Sequence, residues 1–184
     1  MPPSAVSLKN LLCRFRRHRR GSAAVEFALV APVFFALLFA IVEVALMFFA
    51  SQVLETVTQA SARYLLTGQA QSGSLTQAQF KTYVCNQIPA LFTCANVKVN
   101  VQSYPAFSSI SNNIVYDGSG NFVGPTNYCP GNSGDIVSVS LSYQWPLFVT
   151  GLGFNMSNPG THSKWLTATA AFQNEPFSAP ASGC

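Results

Sequence analysis

The longest apolar run of the chain constrains its fold most strongly. Residues 27–42 read FALVAPVFFALLFAIV without a charge, and after Glu43 the apolar run continues to Ala50. About 20 mostly apolar residues are enough for a helix to cross the hydrocarbon core of a bilayer. A helix satisfies its own backbone hydrogen bonds in lipid, so we predict a transmembrane helix over residues 22–50. Pro32 removes one of these hydrogen bonds and predicts a kink.

Basic residues ahead of this run predict its orientation. Residues 1–21 contain six Lys and Arg and no acid, whereas residues 22–184 contain four Lys and Arg against six acids. Lys and Arg next to a membrane helix stay on the cytoplasmic side, which predicts a cytoplasmic leader at 1–21 and an outer domain. The body of the chain has no basic patch to bind phosphates, so we expect no nucleic-acid partner. The basic leader residues are Lys9, Arg14, Arg16, Arg17, Arg19 and Arg20.

A conventional signal peptide is the alternative interpretation of this segment. The run is longer than the usual ~7–15 apolar residues, and no good small-x-small cleavage site follows it. Two acids, Glu26 and Glu43, also lie within it. A carboxylate at the bilayer centre costs about 2.5–3.5 kcal/mol, so each acid has either a function or a place near an interface. We therefore expect no conventional cleavage.

The boundary between leader and helix carries a recognisable motif. Residues 19–30 read RRGSAAVEFALV, which resembles the processing site of type IV pilin-like proteins. In those families a prepilin peptidase cuts after a Gly that ends a basic leader, and Glu stands at the fifth mature position. Gly21 matches that Gly, Ser22 would be the first mature residue, and Glu26 is the fifth. The stretch GSAAVEFALVAPVFF is more closely similar to the TadE-like proteins of tight-adherence (Flp) pilus systems, and residues 171–177 resemble the end of that family.

The resemblance implies a function in assembly. It implies a minor pilin or pseudopilin needed for an adhesive Flp-type pilus, in a bacterial inner membrane, with its C-terminal domain in the periplasm. The implied partners are the membrane, the prepilin peptidase, other pilin-like subunits and the pilus assembly platform. Glu26 would pair with the N-terminal amine of a neighbouring subunit, and Phe27 belongs to the same assembly segment.

The helical pattern continues beyond the apolar run. Apolar residues recur at three- and four-residue steps, which predicts an outer continuation of the helix over residues 51–68, with Gly68 as its stop. This stripe is either the core of the outer domain or a partner surface. Residues 69–74 read as a polar linker, and residues 75–88 as a second helix capped by Ser74 or Thr76. The apolar positions are Val53, Leu54, Val57, Ala60, Tyr64 and Leu65 in the first helix, and Leu75, Phe80, Val84 and Ile88 in the second.

A period of two replaces the helical pattern after Pro89. Alternating residues predict strands over 97–102 and 137–144, and residues 164–172 are the last strand candidate. Residues 113–116 and 121–123 flank a hairpin signal. We therefore expect an α+β, pilin-like fold. Its long transmembrane helix would continue into an extracytoplasmic domain over residues 69–184, with a second short helix and a four- to five-stranded antiparallel sheet.

The cysteines predict disulfides in the outer domain. Cys13 lies in the leader, while Cys85, Cys94, Cys129 and Cys184 follow the apolar run. An even count in an oxidising compartment indicates two disulfides, and three connectivities are possible. We favour Cys85–Cys94, which closes a short loop, and Cys129–Cys184, which would fix the C-terminus.

The sequence carries no pattern typical of an active site. The outer domain offers His162 and few acids, and a catalytic His needs a nucleophile and an orienting acid. Residues 117–121 lack the further acids of a calcium loop and read as a turn. We expect neither an enzyme nor a metal or other cofactor. The alternative function is an uncleaved single-pass membrane protein whose outer domain binds a ligand or a partner.

Overall fold

The computed structural model describes residues 22–89, 91–111, 115–148 and 156–178. It confirms the α+β class: helices come first in the chain, and an antiparallel sheet follows. The described residues fall into two compact units that divide between Val42 and Glu43. The predicted leader, with Gly21, lies outside the described residues, and so does Cys184. The division of the chain into leader, transmembrane, continuation and outer segments stays a prediction.

The first unit is the beginning of helix α1, which runs from Ser22 to Leu66 and continues through Pro32. Up to Val42 its large apolar side chains are exposed, and Phe27, for example, is 69% exposed. An all-round apolar helix needs an apolar environment. Within the part of the chain that the structure describes, α1 is the one helix long and apolar enough to cross a membrane, over Ala23–Leu66.

In the second unit, α1 contributes to the core. Leu54, Val57 and Leu65 are buried, and Val53 and Tyr64 pack against the same cluster. The predicted apolar stripe is therefore domain core. Since Val57 lies three and four residues from Leu54 and Val53, and seven and eight residues from Tyr64 and Leu65, these positions share one helix face.

Gly68 ends α1 with a left-handed backbone, φ 73°. The next residues were predicted to form a polar linker, and this prediction is wrong, because Gln69–Ser72 forms a short helix, α2. Ala70 and Gln71 are buried in it. Gln71 Nε2 donates to the carbonyl of Pro130 at 2.9 Å, which ties the segment to a distant loop.

Helix α3 spans Gln77–Gln87 and matches the predicted second helix. Thr76 caps it with a capping box, since its hydroxyl accepts from the Gln79 backbone and the Gln79 side chain accepts from the Thr76 backbone. This pattern satisfies two N–H groups that a helix start leaves unpaired. Phe80 and Val84 are buried, as predicted.

The sheet has three strands, β1 (Lys98–Tyr104), β2 (Ile136–Pro146) and β3 (Ser163–Gln173), in the order β1-β2-β3 and antiparallel throughout. Four or five strands were predicted. The difference lies at residues 115–123, where the expected hairpin makes a single bridge between Tyr116 and Phe122. The Asp117 carboxylate accepts from the backbone of Ser119 and Asn121, so this segment closes on itself as a turn. Residues 112–114 lie outside the description.

The two faces of the sheet differ in chemistry. One face belongs to the core, through Val99, Val101, Val139 and Leu141. The other face is polar: Ser140 and Thr169 are hydrogen-bonded at 2.9 Å across β2 and β3. The predicted alternation of apolar and polar residues in these strands is confirmed.

Candidate functional site

The predicted assembly segment lies in the first turns of α1. Ser22 is the first residue of this helix, and Glu26 follows four residues later, about 6 Å along the axis at 1.5 Å per residue. Helix N-termini carry partial positive charge and favour acids nearby. Gly21, the predicted cleavage position, lies immediately before the described residues.

Exposed apolar side chains surround Glu26 along the helix. Val25, Phe27, Leu29 and Val30 are all more than half exposed. A carboxylate in such surroundings is expensive unless a charge or hydrogen bonds compensate it. The segment therefore combines an apolar surface with an acid at a fixed position in the helix.

Glu43, the second acid of the apolar run, has a different environment. It is half-buried at the start of the second unit, and its Oε1 accepts a hydrogen bond from the backbone N–H of Phe148. Hydrogen bonds to a charged carboxylate are stronger than neutral ones. Glu43 is thus held within its own unit, and the Phe148 side chain beside it is 85% exposed.

We give the name C-terminal clasp to three residues that contact the last residue of α1, the glycine after it, or the loop at Pro130 and Asn132: Asn174, Glu175 and Phe177. Asn174 Nδ2 donates to the carbonyls of Pro130 and Asn132 at 3.0 and 2.9 Å. The Glu175 backbone donates to the carbonyl of Leu66 at 3.0 Å. The Phe177 ring lies so close to Gly68 that a Cβ there would stand 2.4 Å from Phe177 Cγ. The stretch that resembles the end of the TadE-like family thus contacts the C-terminal end of α1 through Glu175, and Gly68 through Phe177.

The structure contains the predicted disulfide between Cys85 and Cys94, with Cα atoms 5.6 Å apart. It joins the last turn of α3 to the short 3₁₀ helix that precedes β1. Cys129 is also disulfide-bonded. Because Cys184 lies outside the described residues, the pairing of Cys129 with Cys184 stays a prediction.

A groove of about 880 Å³ lies on the polar face of the sheet. Asn100, Gln102 and Tyr104 line it from β1, and Phe122 forms part of the opposite wall. Lys98 Nζ lies 5.8 Å from the centre of the Phe122 ring. Amides, hydroxyls and aromatic rings of this kind can donate to, accept from and stack against a neutral polar molecule.

Within the described residues, no group of three or more His, Cys, Asp or Glu could hold a metal ion. His162 is exposed. Hydrogen bonds from the Asn121 side chain first, and then from backbone N–H groups of the same turn, lower the pKa of Asp117. That pattern is typical of a side chain that closes its own turn.

Comparison with known proteins identifies the N-terminal part of the chain. The family model described as "TadE-like protein" matches residues 21–63. No curated protein sequence matches the chain significantly, and no solved structure does either. The matched residues include the predicted cleavage position, Glu26, Phe27 and most of α1. Residues 21–63 of this chain are therefore similar to the TadE-like proteins, a structural family associated with Tad pili.

Proposed function

We propose that the chain is a TadE-like minor pilin or pseudopilin that is processed after Gly21 and needed to assemble an adhesive Flp-type pilus. One observation carries the proposal: the TadE-like match begins at Gly21, α1 begins at Ser22, and Glu26 follows one turn later among exposed apolar side chains. This is the arrangement expected of a precursor whose helix is released from a basic leader.

Cleavage would change the electrostatics of the helix start. It removes the six basic residues of the leader and frees an ammonium group at Ser22. A pairing of that ammonium with Glu26 of a neighbouring subunit would offset the cost of holding a carboxylate in lipid. Phe27 and its apolar neighbours would pack against the same neighbour. The partners are then the prepilin peptidase, other pilin-like subunits and the assembly platform, with the leader in the cytoplasm and the second unit in the periplasm.

Mass spectrometry of the N-terminal peptide of the membrane-purified protein tests the processing step. We expect the mature chain to begin at Ser22. The Gly21→Val variant should keep its leader, because a branched side chain replaces the Gly that the peptidase requires by family resemblance. Ser22→Ala, which leaves Gly21 intact, is the matched control and should still begin at position 22. A wild-type chain that retains the leader would contradict the proposal and favour an uncleaved membrane protein.

Glu26→Gln tests the assembly step separately, because it removes the charge and keeps the shape of the side chain. We expect normal processing and membrane insertion but a loss of piliated cells of at least about tenfold, because a neutral amide does not pair with the ammonium of the neighbouring subunit. Pilus formation that survives both Gly21→Val and Glu26→Gln would overturn the proposed function.

A further inference from the structure

The segment after β2 holds an exposed aromatic side chain beside α1. Phe148 follows the end of β2 by two residues, and its side chain is 85% exposed. Its backbone N–H donates to the Glu43 carboxylate on α1. The preceding Leu147 is buried, and its N–H donates to the carbonyl of His162 at 2.9 Å. Because both N–H groups are paired within the protein, the Phe148 ring can enter an apolar medium without an unpaired donor beside it.

Apolar side chains of α1 remain exposed beyond Glu43. Leu46, Phe48 and Phe49 are each at least 47% exposed, while Met47 between them is buried in the core of the second unit. Between residues 27 and 54 Glu43 is the single charged residue, and the sequence from 136 to 163 has no Asp, Glu, Lys or Arg. Exposed apolar surface with so few charges is typical of contact with lipid or with another apolar protein surface.

The length of the apolar run favours lipid. The uncharged residues 27–42 span about 24 Å as a helix, which is less than the hydrocarbon core of about 30 Å. A bilayer around α1 must therefore extend beyond one end of this stretch. Extension past Glu43 adds the apolar residues 44–50, whereas extension the other way meets Glu26 and then the basic leader. A bilayer that extends past Glu43 also reaches Phe148, which is hydrogen-bonded to it.

We propose that Phe148 and the exposed side chains of residues 46–49 insert into the outer interface of the membrane, where lipid headgroups meet acyl chains. Irregular backbone is excluded from the hydrocarbon core, whereas apolar side chains of interfacial segments reach about 5–10 Å into the boundary region. Glu43 then holds Phe148 beside α1 while its carboxylate stays hydrogen-bonded. The proposal rests on the transmembrane position of α1 in the proposed function, but it uses neither Gly21 nor Glu26.

Photo-crosslinking to lipid tests this contact. The full chain is reconstituted in vesicles of phosphatidylethanolamine and phosphatidylglycerol, with a benzophenone amino acid in place of Phe148, and the mass of the intact protein identifies the product. Phe107 is the matched control, because it is 53% exposed but follows the end of β1 that pairs with the start of β2. Phe35, within the predicted transmembrane segment, reports whether α1 lies in lipid. We expect lipid adducts at 148 to exceed those at 107 at least about tenfold.

The three probe positions separate this proposal from the proposed function. Lipid adducts at 35 without adducts at 148, or a second copy of the chain as the main product at 148, would overturn the insertion of Phe148 and leave the transmembrane position of α1 intact. Adducts at neither 35 nor 148 would overturn both. Equal yields at 107 and 148 would mean that Phe148 contacts lipid no more than any exposed ring does, and would also overturn the insertion.

Fluorescence quenching gives an independent measurement in the same vesicles. Bromine atoms on the acyl chains should quench a fluorescent amino acid at 148 at least about threefold more than one at 107, and iodide in the water should show the reverse order. Formation of the Cys85–Cys94 disulfide checks that each variant folds. Iodide quenching at 148 as strong as at 107 would place Phe148 in water and contradict the proposal.

Discussion

Tyr128 has a buried hydroxyl, and we expect its surroundings to affect the free energy of unfolding. Its hydroxyl is buried and has no hydrogen-bond partner in the described part of the chain, and its ring lies 5.4 Å from that of Phe80. Burial, and to a lesser degree the nearby Tyr64, raises the pKa of Tyr128 to about 12. A buried hydroxyl without a partner costs free energy that a matched apolar side chain would not.

Tyr128→Phe should therefore be neutral or raise the free energy of unfolding by up to about 1 kcal/mol at pH 7. The wild-type should lose stability as pH rises from about 10, where the unfolded tyrosine ionises, toward 12, because the folded state resists that ionisation. The variant should lose less over this range. Thermal unfolding of the full chain in detergent, followed by tryptophan fluorescence, measures both effects.

Tyr104→Phe is the control for the other tyrosines, since Tyr104 has a hydrogen-bond partner in Gln102 at 3.0 Å. An alkaline loss of stability that is the same in the wild-type and in Tyr128→Phe would contradict this assignment.

Residue type alone does not distinguish the roles of the two acids in the apolar run. The sequence presents Glu26 and Glu43 as the same kind of exception, each with a functional and an interfacial interpretation. In the structure Glu43 accepts a hydrogen bond from the backbone of Phe148, which is 105 residues away in the chain. A local pattern has no means of predicting a partner at that distance.

At the scale of elements, periodicity and capping predicted most of what formed. Alternating residues predicted β1 and β2, the candidate strand over 164–172 formed as β3, and Thr76 correctly marked the start of α3. The linker prediction over 69–74 failed because α2 depends on burial of Ala70 and on the bond from Gln71 to Pro130. The predicted hairpin is present in its described part as a turn closed by Asp117 with an antiparallel bridge between Tyr116 and Phe122, but it adds no strand to the sheet.

In the candidate site too, short sequence patterns predicted some features and missed those that depend on residues far apart in the chain. The motif at residues 19–30 and the family resemblance predicted the assembly segment, and spacing predicted the Cys85–Cys94 disulfide. The groove on the polar face and the C-terminal clasp were missed. Both require strands or loops far apart in sequence to come together, as in the bond between Glu175 and Leu66.

The contact between Gly68 and the clasp gives a prediction for this element. Gly68→Ala should lower the free energy of unfolding by about 1–3 kcal/mol, because φ 73° is costly for a residue with a Cβ and that Cβ would overlap the Phe177 ring. Gly118→Ala is the matched control, since its added Cβ meets nothing within 4 Å. Its effect should stay within about 0.5 kcal/mol.

The double variant Gly68→Ala/Phe177→Ala separates the two causes. It removes the overlap but keeps the strained backbone, so the cost of Gly68→Ala should be smaller in the Phe177→Ala background. Denaturant unfolding of the full chain in detergent measures each value. Equal costs of Gly68→Ala in both backgrounds would show that Phe177 does not restrict Gly68.

At the scale of the whole molecule, the two parts of the chain favour different surroundings. Up to Val42 the described part of α1 exposes its apolar side chains, whereas the second unit buries a core of its own and contains a disulfide. The first part needs lipid or neighbouring apolar helices, and the second needs an oxidising aqueous compartment. We expect the basic residues of 1–21 to keep the start of α1 on the inner side of the membrane, because Lys and Arg next to a membrane helix stay on the cytoplasmic side.

Replacing the six basic leader residues with Gln should therefore disturb the orientation of the whole chain. We expect the fraction of chains with the second unit outside to fall from nearly all to less than about half, because the charge bias that retains the N-terminus is lost.

The Cys85–Cys94 disulfide reports the outcome, since it cannot persist in a reducing cytoplasm. Alkylation of free thiols in whole cells, followed by mass spectrometry of the peptides containing Cys85 and Cys94, measures the fraction. Lys81→Gln with Lys164→Gln, which removes charges after α1, should leave the disulfide fully formed. A leader variant that keeps a fully formed disulfide would show that the apolar helix sets its own orientation.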